Sequence, residues 1–381
     1  MEAGLSLAAF SWRSRTSKLS LVPLHLGTRH FATFGIPGFV FRRLKHTRSL
    51  SSNAPRQLQS LRSSLCRRSH FATTCYHKSA IGAGSLLVCF ACSGHGRCDL
   101  PAESGPATLA ASAGVCHTCA LRADGRLVCF GDGKYGQCAV PEDIATVLTV
   151  SAGSFHTCAV QADGQLICFG DNEYGQCTVP AGLASVLVVS AGRRHTCAVP
   201  TDGQLVCFGD DKYGQCTVPT GLGPVSAVSA GNSHTCVVRT DGQLVCFGDD
   251  KYGQCEVPAG LGPVLAVSAG SFHTCALQTD GQLVCFGDDR YGQCAVPAGL
   301  GSVLVVAAGQ RHTCIVRADG QVVCFGDNES GQCAVPSALG PALGIAVGRL
   351  HTCAAQTGGG LVCFGEDHFG QCAVPHNLLR R

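Results

Sequence analysis

The chain has 381 residues, 27 of them cysteine and 49 glycine, and a formal net charge of +3. That sum hides two opposite parts: positions 1–70 carry twelve Lys or Arg against one acid, Glu2, while the remainder is acidic by eight charges. No apolar run reaches the roughly 20 residues a membrane span needs, and the acidic body disfavours direct nucleic-acid binding.

Residues 1–70 are rich in Ser and Arg (Arg13, Arg15, Arg42, Arg43, Arg48, Arg56, Arg62, Arg67, Arg68) and nearly free of acids, the composition of an organelle transit peptide. The basic residues follow Leu5–Phe10 instead of preceding it, which argues against a secretory signal. The expectation is an organellar protein, of mitochondrion or plastid. The alternative is a cytoplasmic or nuclear protein with a solvated basic tail.

Residues 71–103 hold a degenerate repeat, in which His77 stands twelve residues before Cys89 but Lys78 and Ser79 replace a Thr-Cys pair. Seven clean copies fill 104–377, with a tail at 378–381. The tripeptide HTC begins at His117, His156, His195, His234, His273, His312 and His351, and the interval from His117 to His156 recurs unchanged through the series. A fixed period of this length marks a repeat architecture, because one short unit cannot bury its apolar face alone. Within a unit, Val186–Val189 reads as a buried inner strand. HTCAVQ and QLICFG read as a hairpin around an Asp-Gly turn. GDNEYGQCTVPAGL reads as loop, with one short possible strand ended by Pro180. Strands without helices, repeated radially, predict an all-β, seven-bladed β-propeller. The hairpin at 77–98 would cap the ring or pair with the last blade; with Phe71–Thr74 as an inner strand the ring would have eight blades.

The segments SAGSFHTCAV and FGDNEYGQC resemble the two signatures of the regulator of chromosome condensation repeat, over about 270 residues. The resemblance implies a seven-bladed propeller of the kind used by exchange factors, HECT ubiquitin ligases, a plant ultraviolet-B receptor and bacterial inhibitor proteins; fold alone does not choose among them. The receptor relies on clustered tryptophans, and the one Trp here, Trp12, precedes the repeats. A HECT ligase would need a catalytic domain after Arg381, leaving at most a related substrate-recognition propeller. The units are short and uniform, with no long insertion to act as a wedge. The expectation is therefore a monomeric, non-catalytic protein-protein interaction scaffold, without cofactor, for a protein partner that is basic or a small GTPase. The alternative is an exchange factor or regulator of a Ran-like GTPase.

With a three-residue Ala-Asp-Gly loop, Gln161 faces Gln165 and Cys158 lies opposite Cys168. The same register pairs Cys119 with Cys129, Cys197 with Cys207, Cys236 with Cys246, Cys275 with Cys285, Cys314 with Cys324, and Cys353 with Cys363. Opposed Cβ atoms stand roughly 4.5–5.5 Å apart, so disulfides are feasible. A transit peptide to a reducing matrix argues the other way, and the reading favours free thiols packed as compact apolar groups. The third cysteine of each unit (Cys138, Cys177, Cys216, Cys255, Cys294, Cys333, Cys372) stands where the family has Leu and reads as packing.

Each unit offers four soft ligands, one His and three Cys, but in mid-strand positions instead of the close pairs that zinc sites use. Seven equivalent histidines suit one hydrogen bond made in every blade better than catalysis, and no Ser-His-Asp set stands out. The sequence thus predicts neither enzyme nor metal site. What varies between units is the loop between CFG and GQC, with Tyr135, Tyr174, Tyr213, Tyr252, Tyr291 or Phe369 preceded by acids such as Asp210, Asp211, Asp249, Asp250, Asp288 and Asp289. These loops share one surface by equivalence. A ring of Tyr among charges suits partner recognition; alternatively, the rings pack between adjacent blades and the acids form a solvated face.

Overall fold

The computed structural model describes Thr108–Leu379, in which every element is a β-strand. The N-terminal segment, the hairpin at 77–98 and the candidate eighth blade lie outside the described residues. Seven antiparallel three-stranded sheets follow one another, each built from one continuous stretch of chain. Blades 1 to 7 span residues 108–131, 147–170, 186–209, 225–248, 264–287, 303–326 and 342–365. Each consists of an inner strand such as Val147–Ala152, a middle strand such as His156–Gln161 and an outer strand such as Leu166–Gly170.

The inner and middle strands are buried because neighbouring blades cover them, and Val150, Ala159 and Val160 are almost wholly enclosed. The segment after the outer strand forms turns and coil, with no fourth strand. In blade 2 the N–H of Val179 bonds the carbonyl of Cys177 two residues back, and Pro180 has no N–H to offer. Every inner strand shifts register near its start, as between Val147 and Thr149. This bulge sits beside side chains turned out of the core: Leu187 is 60% and Leu304 50% exposed.

The middle-outer hairpin has the register the Asp-Gly turn dictates. The N–H of Gln161 donates to the carbonyl of Gln165 at 2.9 Å, and Cys158 stands opposite Cys168. Counting from that bonded pair makes the cysteines a non-hydrogen-bonded pair, the close kind, and their Cα atoms are 4.1 Å apart. All seven such pairs are disulfides. The expectation of free thiols at these fourteen positions is corrected by this proximity, which places every middle-strand sulfur directly against its partner. The third cysteine stays free and acts as a donor. Its S–H points at the carbonyl six residues earlier, as in Cys177 to Asp171 at 3.2 Å. Burial, with the Asp171 charge beside it, pushes the Cys177 thiol up to about 12.

One hydrogen-bond circuit joins the blades. The hydroxyl of Thr157 lies 2.9 Å from the carbonyl oxygen of Gln137, which can only accept, so the hydroxyl proton goes there. Thr157 Oγ1 also lies 3.0 Å from His117 Nε2 and must therefore accept from it, which fixes the imidazole as the neutral Nε2–H tautomer. His156, His195, His234, His273 and His312 reach the next blade's Thr in the same way, and His351 returns to Thr118 at 2.9 Å. The junction of blade 7 with blade 1 is thus bonded like the others, though no loop links them. A second set of bonds runs from the backbone N–H of Ala152, Ala191, Ala230, Ala269 and Ala308 to the preceding blade's Ser hydroxyl. Ala307 and Ala346 replace that Ser in blades 6 and 7.

Such close approach explains the glycine of the SAG turn. A Cβ on Gly153 would stand 2.5 Å from the carbonyl oxygen of Gly192 and 2.5 Å from His156 Cε1. In each of the seven histidines Nδ1 is buried without a partner, and burial lowers the imidazole pKa values to about 3 or 4.

Two outcomes follow. Peptide mapping without reduction should recover cross-links joining Cys158 to Cys168 and the six equivalent pairs, while Cys138 and its equivalents alkylate once the protein is unfolded. The second outcome concerns acid. Because the native histidines exclude protons that the unfolded chain accepts from pH 6.5 downward, stability is complete above that pH and falls as pH drops toward 4. At pH 5.5 unfolding should take up about six protons from this source, read from the slope of denaturant-derived unfolding free energy against pH.

Candidate interaction surface

In every blade the loop after the outer strand is tied to the turn between the inner and middle strands. The N–H of Asp171 bonds the carbonyl of Phe155, Asp210 that of Arg194, and Asp249 that of Ser233. Turns and Tyr loops therefore share one end of the ring, while the Asp-Gly hairpins lie at the other. On the axis at the loop end, six Ala-Gly steps, the Val347-Gly348 step of blade 7 and the residues after them line a cavity of about 290 Å³. Arg193, Asn232, Gln310 and Arg349 stand at its mouth.

The acids of the loops bond within their own loops. Asp211 accepts from the N–H groups of Cys216 and Thr217 at 2.7 and 3.1 Å and from the Thr217 hydroxyl at 2.7 Å. Asp250 and Asp289 accept from the N–H of Cys255 and Cys294. Their counterparts Asn172, Asn328 and Asp367 do the same in other blades. Asp210 and Asp249 accept the N–H of Lys212 and Lys251. Asp288 binds the Arg290 guanidinium at 2.7 Å, and the hydrogen bonds from Arg290 hold its carboxyl below the usual range. Asp210 and Asp249 each close an Asx-type turn on the N–H two residues on, while the following acid, or Asn at the same place, clamps the N–H five residues on.

The aromatic residues reach across blade boundaries. Tyr135 meets Phe155 edge-on with centroids 5.4 Å apart, and Tyr252 meets Phe272 at 5.3 Å. Arg194 lies over Tyr174 at 4.3 Å and Arg311 over Tyr291 at 4.4 Å. Tyr213 has no such neighbour from the next blade, because Ser233 occupies the covering position. Its own Lys212 lies 5.4 Å from the ring, and Tyr213 is 50% exposed, against 46% for Tyr135 and 37% for Tyr291. Phe369, 53% exposed, has Cys116 of blade 1 at the position equivalent to the covering residue. Sequence reasoning missed the covering residues themselves. They stand twenty positions after each Tyr, and only the ring geometry brings them together.

The repeated His are fully buried, and among the described residues no group of His, Cys, Asp or Glu is arranged to hold a metal ion. No helix among them is long and apolar enough to cross a membrane.

The pattern described as the Regulator of chromosome condensation (RCC1) repeat matches this chain six times, at residues 110–137, 147–176, 186–215, 225–254, 264–293 and 303–332. No curated protein matches its sequence. Several solved propellers share its fold. The CRINKLY WD40 ectodomain of the Arabidopsis thaliana receptor kinase ACR4 is 22% identical, with a TM-score of 0.55 over 65% of this chain and 92% of that one. Prp20p from Saccharomyces cerevisiae, described with its binding properties to Gsp1p and histones, is 15% identical, with a TM-score of 0.58 over 70% and 83%. Human WBSCR16 is 18% identical, with a TM-score of 0.57 over 65% and 86%. At these identities the likeness is one of fold.

If the loop acids are turn-makers, their removal is felt in stability. Asp211→Ala, losing three bonds, should cost about 1–2 kcal/mol in urea unfolding, whereas the exposed neighbour Lys212→Ala should change it by less than about 0.5 kcal/mol.

Proposed function

Because the chain belongs to the regulator of chromosome condensation repeat family, we propose that it acts as a non-catalytic protein-interaction platform whose partner docks on the loop end of the ring. One observation carries this reading: the blades are nearly identical in their buried positions and differ at the loop end. The turn there reads Val115-Cys116, Ser154-Phe155, Arg193-Arg194, Asn232-Ser233, Ser271-Phe272, Gln310-Arg311 and Arg349-Leu350 in successive blades. The variable loop position carries Lys134, Glu173, Lys212, Lys251, Arg290, Glu329 and His368. Positions of the His-Thr circuit cannot vary without breaking it, so the larger differences between blades collect at the turn and loop residues, most of which face solvent.

With the loop acids occupied by their own turns, the cations at blades 3 and 4, Arg193, Arg194, Lys212 and Lys251, form no salt bridge among the described residues. This shifts the reading of the partner from basic to acidic at that sector, because opposite charge favours encounter. Regulation of a Ran-like GTPase is the second reading. It draws on the fold shared with Prp20p, and a nucleotide-release assay with a purified GTPase tests it. The organellar address proposed for residues 1–70 is tested separately, by sequencing the N-terminus of the mature protein.

The surface itself is tested with a photo-crosslinking amino acid placed at Tyr213 on the loop end or at Leu187 near the hairpin end. In extract from the source cells, discrete adducts should form from the Tyr213 position and not from the Leu187 position; the reverse pattern would sink this reading.

A further inference from the structure

The boundary between blades 3 and 4 departs from its neighbours. At the preceding and following boundaries a large residue of the next blade covers the Tyr: Phe155 on Tyr135, Arg194 on Tyr174, Phe272 on Tyr252, Arg311 on Tyr291. Ser233 is too short to cover Tyr213, and a cleft of about 280 Å³ opens there. Tyr213 forms one wall, Phe272 contributes another, and Arg193, Arg194, Lys212 and Lys251 surround it.

Charge selects the occupant. Four cations face two carboxylates, Asp210 and Asp249, and each carboxylate already accepts a backbone N–H. Among the described residues Arg193, Lys212 and Lys251 form no salt bridge, the ion pairs falling elsewhere. The neighbouring boundaries show two groups that fit over such a Tyr, a phenyl ring and a guanidinium. A guanidinium would bring a fifth positive charge, whereas a ring carried between carboxylates would satisfy both the uncovered Tyr and the cations. The volume is at the lower end of small-molecule sites, which run from about 300 Å³ upward, and suits one side chain with its flanking backbone.

We propose that this cleft is the docking site for an acidic peptide segment of a partner protein, which inserts one aromatic side chain over Tyr213 where the two boundaries on either side carry their own Phe or Arg. The inference rests on the loop end being the interaction surface.

The probe is a fluorescein-labelled peptide with one phenylalanine between pairs of glutamates, titrated against the full chain by anisotropy at low and high salt. Saturable, salt-weakened binding is expected, lost when the phenylalanine becomes alanine or the glutamates become glutamine. Ser233→Phe gives this boundary the residue that the boundaries before Phe155 and Phe272 tolerate, so the fold is kept and the cleft filled; affinity should fall at least about tenfold. Arg193→Glu combined with Lys251→Glu should weaken binding by a similar factor and flatten its salt dependence. No saturable binding, equal binding of the glutamine peptide, or indifference to Ser233→Phe would each overturn the proposal. If the peptide fails while the crosslinker at Tyr213 still forms adducts, the cleft is wrong and the loop surface stands. Adducts from Leu187 alone would remove both.

Discussion

The structure depends on one contact repeated seven times, the neutral imidazole of one blade donating to the threonine of the next, which in turn donates to a glutamine carbonyl. All three partners are buried, so any change to one leaves a polar group without water or partner, a loss that exceeds the net worth of an ordinary hydrogen bond. The glycine beneath the imidazole follows from the same constraint, since a side chain there would strike both the ring and the next blade's backbone. The SAG, HTC and GQC motifs are this contact written along the chain, and their constant spacing is the step from one blade to the next.

Such a frame divides the molecule into positions that cannot differ and positions that can. The histidines, whose repetition in the sequence pointed to one hydrogen bond per blade, are on the forbidden side: enclosed, uncharged and bonded to threonine. Disulfides add a cross-strand link within each blade, whereas the circuit acts between blades, so local and inter-blade cohesion have separate chemical origins. Diversity then collects at the exposed turn and loop residues, which is where recognition can be varied without disturbing the ring.

Much of this was legible in the sequence. The Asp-Gly turn settled the hairpin register, and with it the opposition of Cys158 and Cys168. The uninterrupted period settled the blade count over the described residues. The thiol state was misjudged because compartment and geometry pointed in opposite directions and the sequence weighs them only by analogy. The bonds of the loop acids within their own loops were not legible, because an Asp that clamps its own turn and an Asp that awaits a partner look alike in one dimension; Asn172 and Asn328 at the equivalent place were the available hint. The cleft at Tyr213 was invisible for a different reason. It arises from the smallness of Ser233, a residue of another blade, and an absence across a boundary has no local signature.

Each blade is made from one unbroken stretch, and the last meets the first without exchanging a strand. The contact between Thr108 and Gly359 is the same backbone bond that joins Val147 to Gly125 or Val186 to Gly164 within the chain. Structural unit and genetic unit therefore coincide. Gain or loss of one whole repeat adds or removes an entire blade and changes the circumference of the ring, without breaking any sheet. Copy number, in this architecture, is a dimension of shape on which duplication acts directly.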